Sequence, residues 1–135
     1  KIKNSRIYYS LQTLQYLVKG GRLGRVEGAF GSLLQIKPII SCDKDGIYYT
    51  VAKVRGRKQS INKLIEIVEE DLKDKSNYYL AVCHGYAQDE ADKIKERIQS
   101  YVDRATIYME GQISPALGVH TGPGLVGIGF FDLDD

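Results

Sequence analysis

Three stretches of the 135-residue chain gather side chains that could do chemistry. "LGVHTGPGLVGIGFF", residues 117 to 131, carries His120 and Thr121 among glycines, and reads as a glycine-rich turn leading into an apolar strand. "KGGRLGRVEGAFG" supplies Lys19, Arg22 and Arg25, and "KVRGRKQS" supplies Lys53, Arg55, Arg57 and Lys58 at the start of a helical pattern. An imidazole on such a turn can donate a hydrogen bond to an acid group, and its charge adjusts near neutral pH. Guanidinium groups beside the unpaired N–H groups of a helix start favour a carboxylate or phosphate. The competing reading is that the basic residues are a solvated surface flanking turns, and that His120 only bonds backbone. A second histidine, His84 in "VCHGYA", falls where a strand gives way to a loop and reads as a strand-end cap.

Other chemistries find no support. No nucleophile elbow or P-loop is visible, and two histidines with two separated cysteines make a poor zinc set, so no metal or cofactor is expected. Gly122, Gly124 and Gly127 match the letters of the dinucleotide fingerprint, but a strand-like run follows them where the fingerprint requires a helix. A formal charge of +2, from 19 basic and 17 acidic residues, generates no global field that would imply nucleic acid. With 43% hydrophobic and 27% charged residues, the chain fits a single domain, 1–135, with one core. Cys42 and Cys83 sit in apolar runs as small hydrophobes, which points to a reducing, cytoplasmic setting. No run reaches the roughly 18 apolar residues of a membrane helix, and the opening residues lack a signal-peptide core, so neither membrane contact nor secretion is expected. A first residue of Lys1 suggests a sequence that starts partway through a longer protein.

The elements that would position these groups follow from periodicity. "KIKNSR" enters a helical pattern, and Ser10 reads as an N-cap for a helix through Leu11, Leu14, Leu17 and Val18 that stops at Gly20-Gly21. "RVEGAFGSLLQI" reads as a second helix. "KPIISC" and "GIYYTVAKV", separated by Asp45-Gly46, form a hairpin. Ile61, Leu64, Ile65, Val68 and Leu72 mark the clearest helix. "YYLAVC", a helix from Asp89 through Ala91, Ile94, Ile98 and Val102, and "ATIYMEGQI" make a β-α-β unit with parallel strands, and "GLVGIGFF" is the last strand. The sum is an α/β (α+β) chain with a mixed sheet and helices mainly on one face.

"LQYLVKGGRLGR", "GSLLQIKPIIS", "VRGRKQSINKLIEIV" and "GVHTGPGLVGIGFF", in this order, resemble the C-terminal domain of the DegV family, bacterial fatty-acid-binding proteins that serve fatty acid kinase. The resemblance implies a two-layer domain with about five to six strands, preceded in the family by an N-terminal α/β domain absent here. It also implies a binding protein rather than an enzyme, holding a long-chain fatty acid and presenting its carboxylate to the kinase protein. His120, Thr121, Arg25 and Arg55 would hold the head group, and Arg22, Arg57 and Lys58 would face the kinase. Phe30, Leu33, Leu34, Ile113 and Leu117 could line the tail, or be plain core. The rival is an enzyme on a small phosphorylated or carboxylated metabolite, with His120 as general base and Arg25 or Arg55 clamping the anion.

Overall fold

In "YYLAVCH" and "VGIGFFD" a large residue at every second position points the same way: Tyr78, Leu80 and Val82 in one run, and Val126, Ile128 and Phe130 in the other, all buried. A period of two sends such residues to a single face of a sheet. The computed structural model describes residues 4–21 and 36–134. Along them run β1 (Ser5–Ser10), α1 (Gln15–Lys19), β2 (Ile39–Cys42), β3 (Tyr48–Ala52), α2 (Arg57–Leu72), β4 (Tyr78–His84), α3 (Gln88–Arg97), α4 (Gln99–Arg104), β5 (Ile107–Gln112), α5 (Pro115–Thr121) and β6 (Val126–Asp132). The six strands form one sheet in the order β3-β2-β1-β6-β4-β5, antiparallel throughout except for the parallel pair β4 and β5.

The expected hairpin and the β-α-β unit are both present. Asp43 organises the hairpin turn: its carboxylate accepts the N–H groups of Asp45 and Ile47 at 2.9 and 3.0 Å, and Gly46 takes φ 78°. The apolar stripe of α2, Leu64, Ile65, Val68 and Leu72, is buried against the sheet with Ala91, Ile94 and Ile98 of the next helical segment. A second, smaller cluster of Leu11, Leu17, Ile40 and Leu125 sits beside α1 and α5, whose residues pack on one another. The long helices therefore share one face, as the periodicity predicts.

Four local expectations are corrected. Ser5 and Arg6, read as part of a helical opening, belong instead to β1, Ser5–Ser10, paired on both sides by β2 and β6. Ser10 caps no helix: it ends that strand, and its hydroxyl shares a 2.6 Å hydrogen bond with Ser60 Oγ of α2. The first helix shrinks to Gln15–Lys19, with residues 11–14 forming the connection from β1 and Leu11 fully buried beside Leu17. Helix α3 stops at Arg97, and fully buried Ile98, at φ −104° and ψ 21°, separates it from α4. The helix expected over "RVEGAFGSLLQI" lies outside the described residues up to Gln35, and Ile36 forms a β-bridge with Arg55.

Candidate functional site

Register places the chemistry at one end of the sheet. Ser10 pairs with Ile39 on one side and Val126 on the other, Val126 pairs with His84, and His84 with Gln112. The ends of β1, β4 and β5 and the starts of β2 and β6 thus form one rim, from which the loops carrying the candidate residues leave.

His120 stands on helix rather than on a glycine turn. Pro115 opens α5 behind Ser114, whose Oγ accepts the Leu117 N–H at 3.4 Å, and the helix closes on Gly122 at φ 75°. The imidazole, in the last turn, lies against Gly20 at the end of α1. A Cβ on Gly20 would stand 2.3 Å from Nδ1, so only glycine admits the ring there. Nδ1 is buried and has no hydrogen-bond partner among the described residues. An orphaned buried polar atom costs about 1–3 kcal/mol and calls for an explanation. Thr121 is buried, and its hydroxyl donates to the Leu117 carbonyl at 3.2 Å, which fastens the helix end. Tyr16 of α1 lies over Gly122, with a Cβ at Gly122 falling 2.3 Å from its ring.

The arginines divide. Arg22 and Arg25 lie outside the described residues, and His120 rests against Gly20 alone of the glycine pair that precedes them in the sequence. Arg55 is exposed, its backbone bridged to Ile36. Arg57 turns inward. Its Nε donates to Glu90 Oε2 at 2.9 Å and its Nη2 to Oε1 at 3.2 Å, a two-pronged pair. Its Nη1 donates to the Ser10 carbonyl at 3.3 Å and hydroxyl at 3.2 Å, and Nη2 also reaches the Gly124 carbonyl. One side chain, 17% exposed, ties the end of β1, the start of α3 and the glycine turn together. Lys58, one residue on, is exposed. His84 is buried; its Nδ1 accepts the Ala87 N–H at 3.1 Å, so Nε2 carries the proton and donates to Gln88 Oε1 at 3.1 Å. That is the strand-end cap expected of it.

Of the sheet's second face, sequence reading marked only "YYLAVC", whose lack of polar alternation suits a strand apolar on both sides, as β4 is. Residues facing away from α2 and α3 include Ile7 and Tyr9 of β1, Tyr79, Ala81 and Cys83 of β4, and Gly127, Gly129 and Phe131 of β6, matched row by row in register. With the corresponding positions of β2, β3 and β5, none carries a charge. Most are half-buried, and Ile107 and Met109 at the β5 edge are 45% and 54% exposed. Burial pushes the Cys83 thiol and the Tyr9 phenol above their ordinary pKa values, as an apolar setting requires. An uncharged, incompletely covered face of this extent marks a contact surface for apolar matter. The period-two glycines of "VGIGFF" were a further available signal. Where this face meets the rim, Tyr16, Ile113, Pro115 and Val119 line part of a mostly apolar cleft of about 360 Å³. Among the described residues no His, Cys, Asp and Glu group could hold a metal ion, and no helix is long and apolar enough to cross a membrane.

Fold and rim together define an α/β chain built on an open six-stranded mixed sheet, with an apolar face ending at a polar edge. The chain belongs to the DegV family: a family model described as an uncharacterised protein of that family matches residues 1–133. A DegV domain-containing protein of Clostridium acetobutylicum is 49% identical over 129 residues, covering 96% of this chain and 45% of the relative. One of Clostridium perfringens is 46% identical over 121 residues, covering 90% and 42%. The chain therefore spans less than half the length of these relatives. Among solved structures, a fatty-acid-binding DegV family protein of Streptococcus agalactiae superposes with a TM-score of 0.85 at 28% identity, over 98% of this chain and 46% of that one. A stearic-acid-binding protein of Eubacterium ventriosum gives 0.79 at 27% identity, over 96% and 45%.

Proposed function

We propose that the chain is the half of a fatty-acid carrier that supplies an apolar bed for the tail and a histidine for the head group. The observation that carries this reading is the buried Nδ1 of His120, without a hydrogen-bond partner among the described residues, on the helix that follows the rim end of β5. The tail lies along the face of Tyr9, Ala81, Cys83 and Gly129, where each buried methylene contributes about 0.8 kcal/mol. His120 meets the carboxylate, Thr121 and Gly20 set its ring, Arg55 adds positive charge at the same rim, and Arg25 is a further head-group partner carried over from the family resemblance. Arg55 and Lys58, exposed beside the head group, and Arg22 face a kinase protein that phosphorylates the carboxylate. Arg57 holds the corner from which they project. The chain itself is a binding module, not a catalyst, and acts in the cytoplasm; no cofactor is needed for this role. Support comes from the solved relatives described as fatty-acid-binding. The N-terminal portion of the full-length relatives supplies the other wall, an α/β domain, and the remaining partners of the head group.

Mass spectrometry of lipid extracted from the intact protein tests the reading. One long-chain fatty acid per molecule is expected. A polar metabolite in its place, or no lipid together with no uptake of added fatty acid, would contradict it.

A further inference from the structure

The apolar stripes of α2 and α3 do not close completely on one another. Between them lies a groove of about 450 Å³ floored by Ile61, Ile65 and Ile94. Two contacts span it: the Arg57–Glu90 pair at the rim end, and a hydrogen bond from Arg97 to Asn62 Oδ1 further along. Asn62 follows Arg57 by only five residues, about 8 Å of helix, so the opening between the two contacts admits an inserted side chain or two and no whole helix. Four cations, Arg57, Lys58, Lys93 and Arg97, stand around it against the single carboxylate of Glu90, which Arg57 already neutralises. Lys58, Lys93 and Arg97 are exposed. The other acids early in α3 point elsewhere: Asp89 lines the depression beside His84, and Asp92 accepts from Gln88 at 2.8 Å.

An apolar socket ringed by uncompensated cations is complementary to a short segment that presents an apolar side chain among carboxylates. We infer that this groove is a docking site for an acidic peptide segment of a partner protein, anchored by one or two leucine-sized side chains. Insertion fills the space over Ile61, Ile65 and Ile94, and the flanking carboxylates meet Lys58, Lys93 and Arg97. Charge sets the rate of encounter and its salt dependence, and the anchor sets the lifetime of the complex. The surface lies on the helical side of the sheet, away from the face proposed for the acyl tail, so the two kinds of binding are read separately.

The test uses the intact protein and three fluorescent twelve-residue probe peptides: one rich in glutamate with a central Leu-Leu pair, one with each glutamate changed to lysine, and one with both leucines changed to serine. Fluorescence polarisation should show saturable binding of the first alone, with at least tenfold weaker binding of the other two. Amide shifts should concentrate at Ile61, Ile65 and Ile94. The double variant Lys93→Glu/Arg97→Glu should lose tenfold or more in affinity for the first peptide while its fatty-acid uptake stays unchanged. Equal binding of all three peptides, no binding of the first, or undiminished binding by the double variant would overturn the inference. Fatty-acid uptake, measured on the same samples, reports on the acyl-carrier reading independently.

Discussion

At the scale of single residues, the geometry turns on side chains that sequence patterning could nominate but not place. His120 and the Gly20-Gly21 pair are a hundred residues apart in the chain, and nothing in their spacing says that the ring rests on Gly20; α1 and α5 bring them together. Gly20→Ala should push the imidazole off its seat, weakening fatty-acid binding in the intact protein about tenfold, on the order of one charge-assisted hydrogen bond. Its backbone, at φ −85°, is open to alanine, so any fall in the melting temperature reports the displaced ring rather than backbone strain. Isothermal titration beside a thermal melt separates the two effects. Arg57 shows the converse. Its motif suggested an outward partner contact, while the structure engages its guanidinium with Glu90, Ser10 and Gly124. Arg57→Ala strands a half-buried carboxylate and two carbonyls and should cost about 2–3 kcal/mol by chemical denaturation. Arg57→Lys should recover only a part, because one ammonium cannot span both prongs and the turn.

At the scale of elements, period-two and period-3.6 patterns were legible wherever one face is buried and the other wet. α2 and the hairpin came out close to their observed bounds for that reason. The β1 strand did not. "SRIYYS" is short and follows charged residues, and its aromatic and β-branched content was the only cue against a helix. It is held by long-range pairing with β6 and by Tyr8, whose hydroxyl donates to Asp71 Oδ2 of α2 at 2.6 Å. Burial first, and then the bond to the Asp71 carboxylate, raise the Tyr8 phenol above its ordinary value of 10.0. A folded-state pKa raised in this way contributes stability that is fully present below about pH 10 and is lost as the pH rises through the folded value, because the unfolded chain ionises first. Tyr9 and Tyr108 act in the same direction, both chiefly through burial. Circular-dichroism melts should therefore show a falling midpoint above about pH 10, and Tyr8→Phe should flatten that fall while lowering the midpoint at neutral pH. An unchanged slope in the variant would separate Tyr8 from the alkaline loss.

At the scale of the whole molecule, the sheet divides the chain into a closed side and an open one. The closed side is a conventional core: Leu80, Ile94 and Ile128 are fully buried, and Ile94→Ala should cost about 2–5 kcal/mol in urea unfolding. The open side has no charge to orient it and no described helix along its full extent. Its character was legible in the unalternating "YYLAVC" alone, because alternation reveals a polar outer face and short apolar runs elsewhere do not tell which side they cover. Ala81→Asp places a charge in the middle of that face, where the site is only half-buried. It should abolish fatty-acid uptake at a smaller cost in stability than Ile94→Ala. Equal uptake in the variant would remove the face from the site.

The central claim is that the His120 imidazole meets the carboxylate of a fatty acid lying on that face. Nitrogen-15 NMR of the histidine rings in the intact protein, titrated with carbon-13-carboxyl-labelled stearate, tests it most directly. The account predicts that the His120 Nδ1 resonance and the labelled carboxyl shift together and saturate at one equivalent, with the carboxyl shift lost in His120→Ala. Saturable stearate binding that leaves the His120 resonance unmoved, or identical carboxyl shifts in the variant, would contradict it.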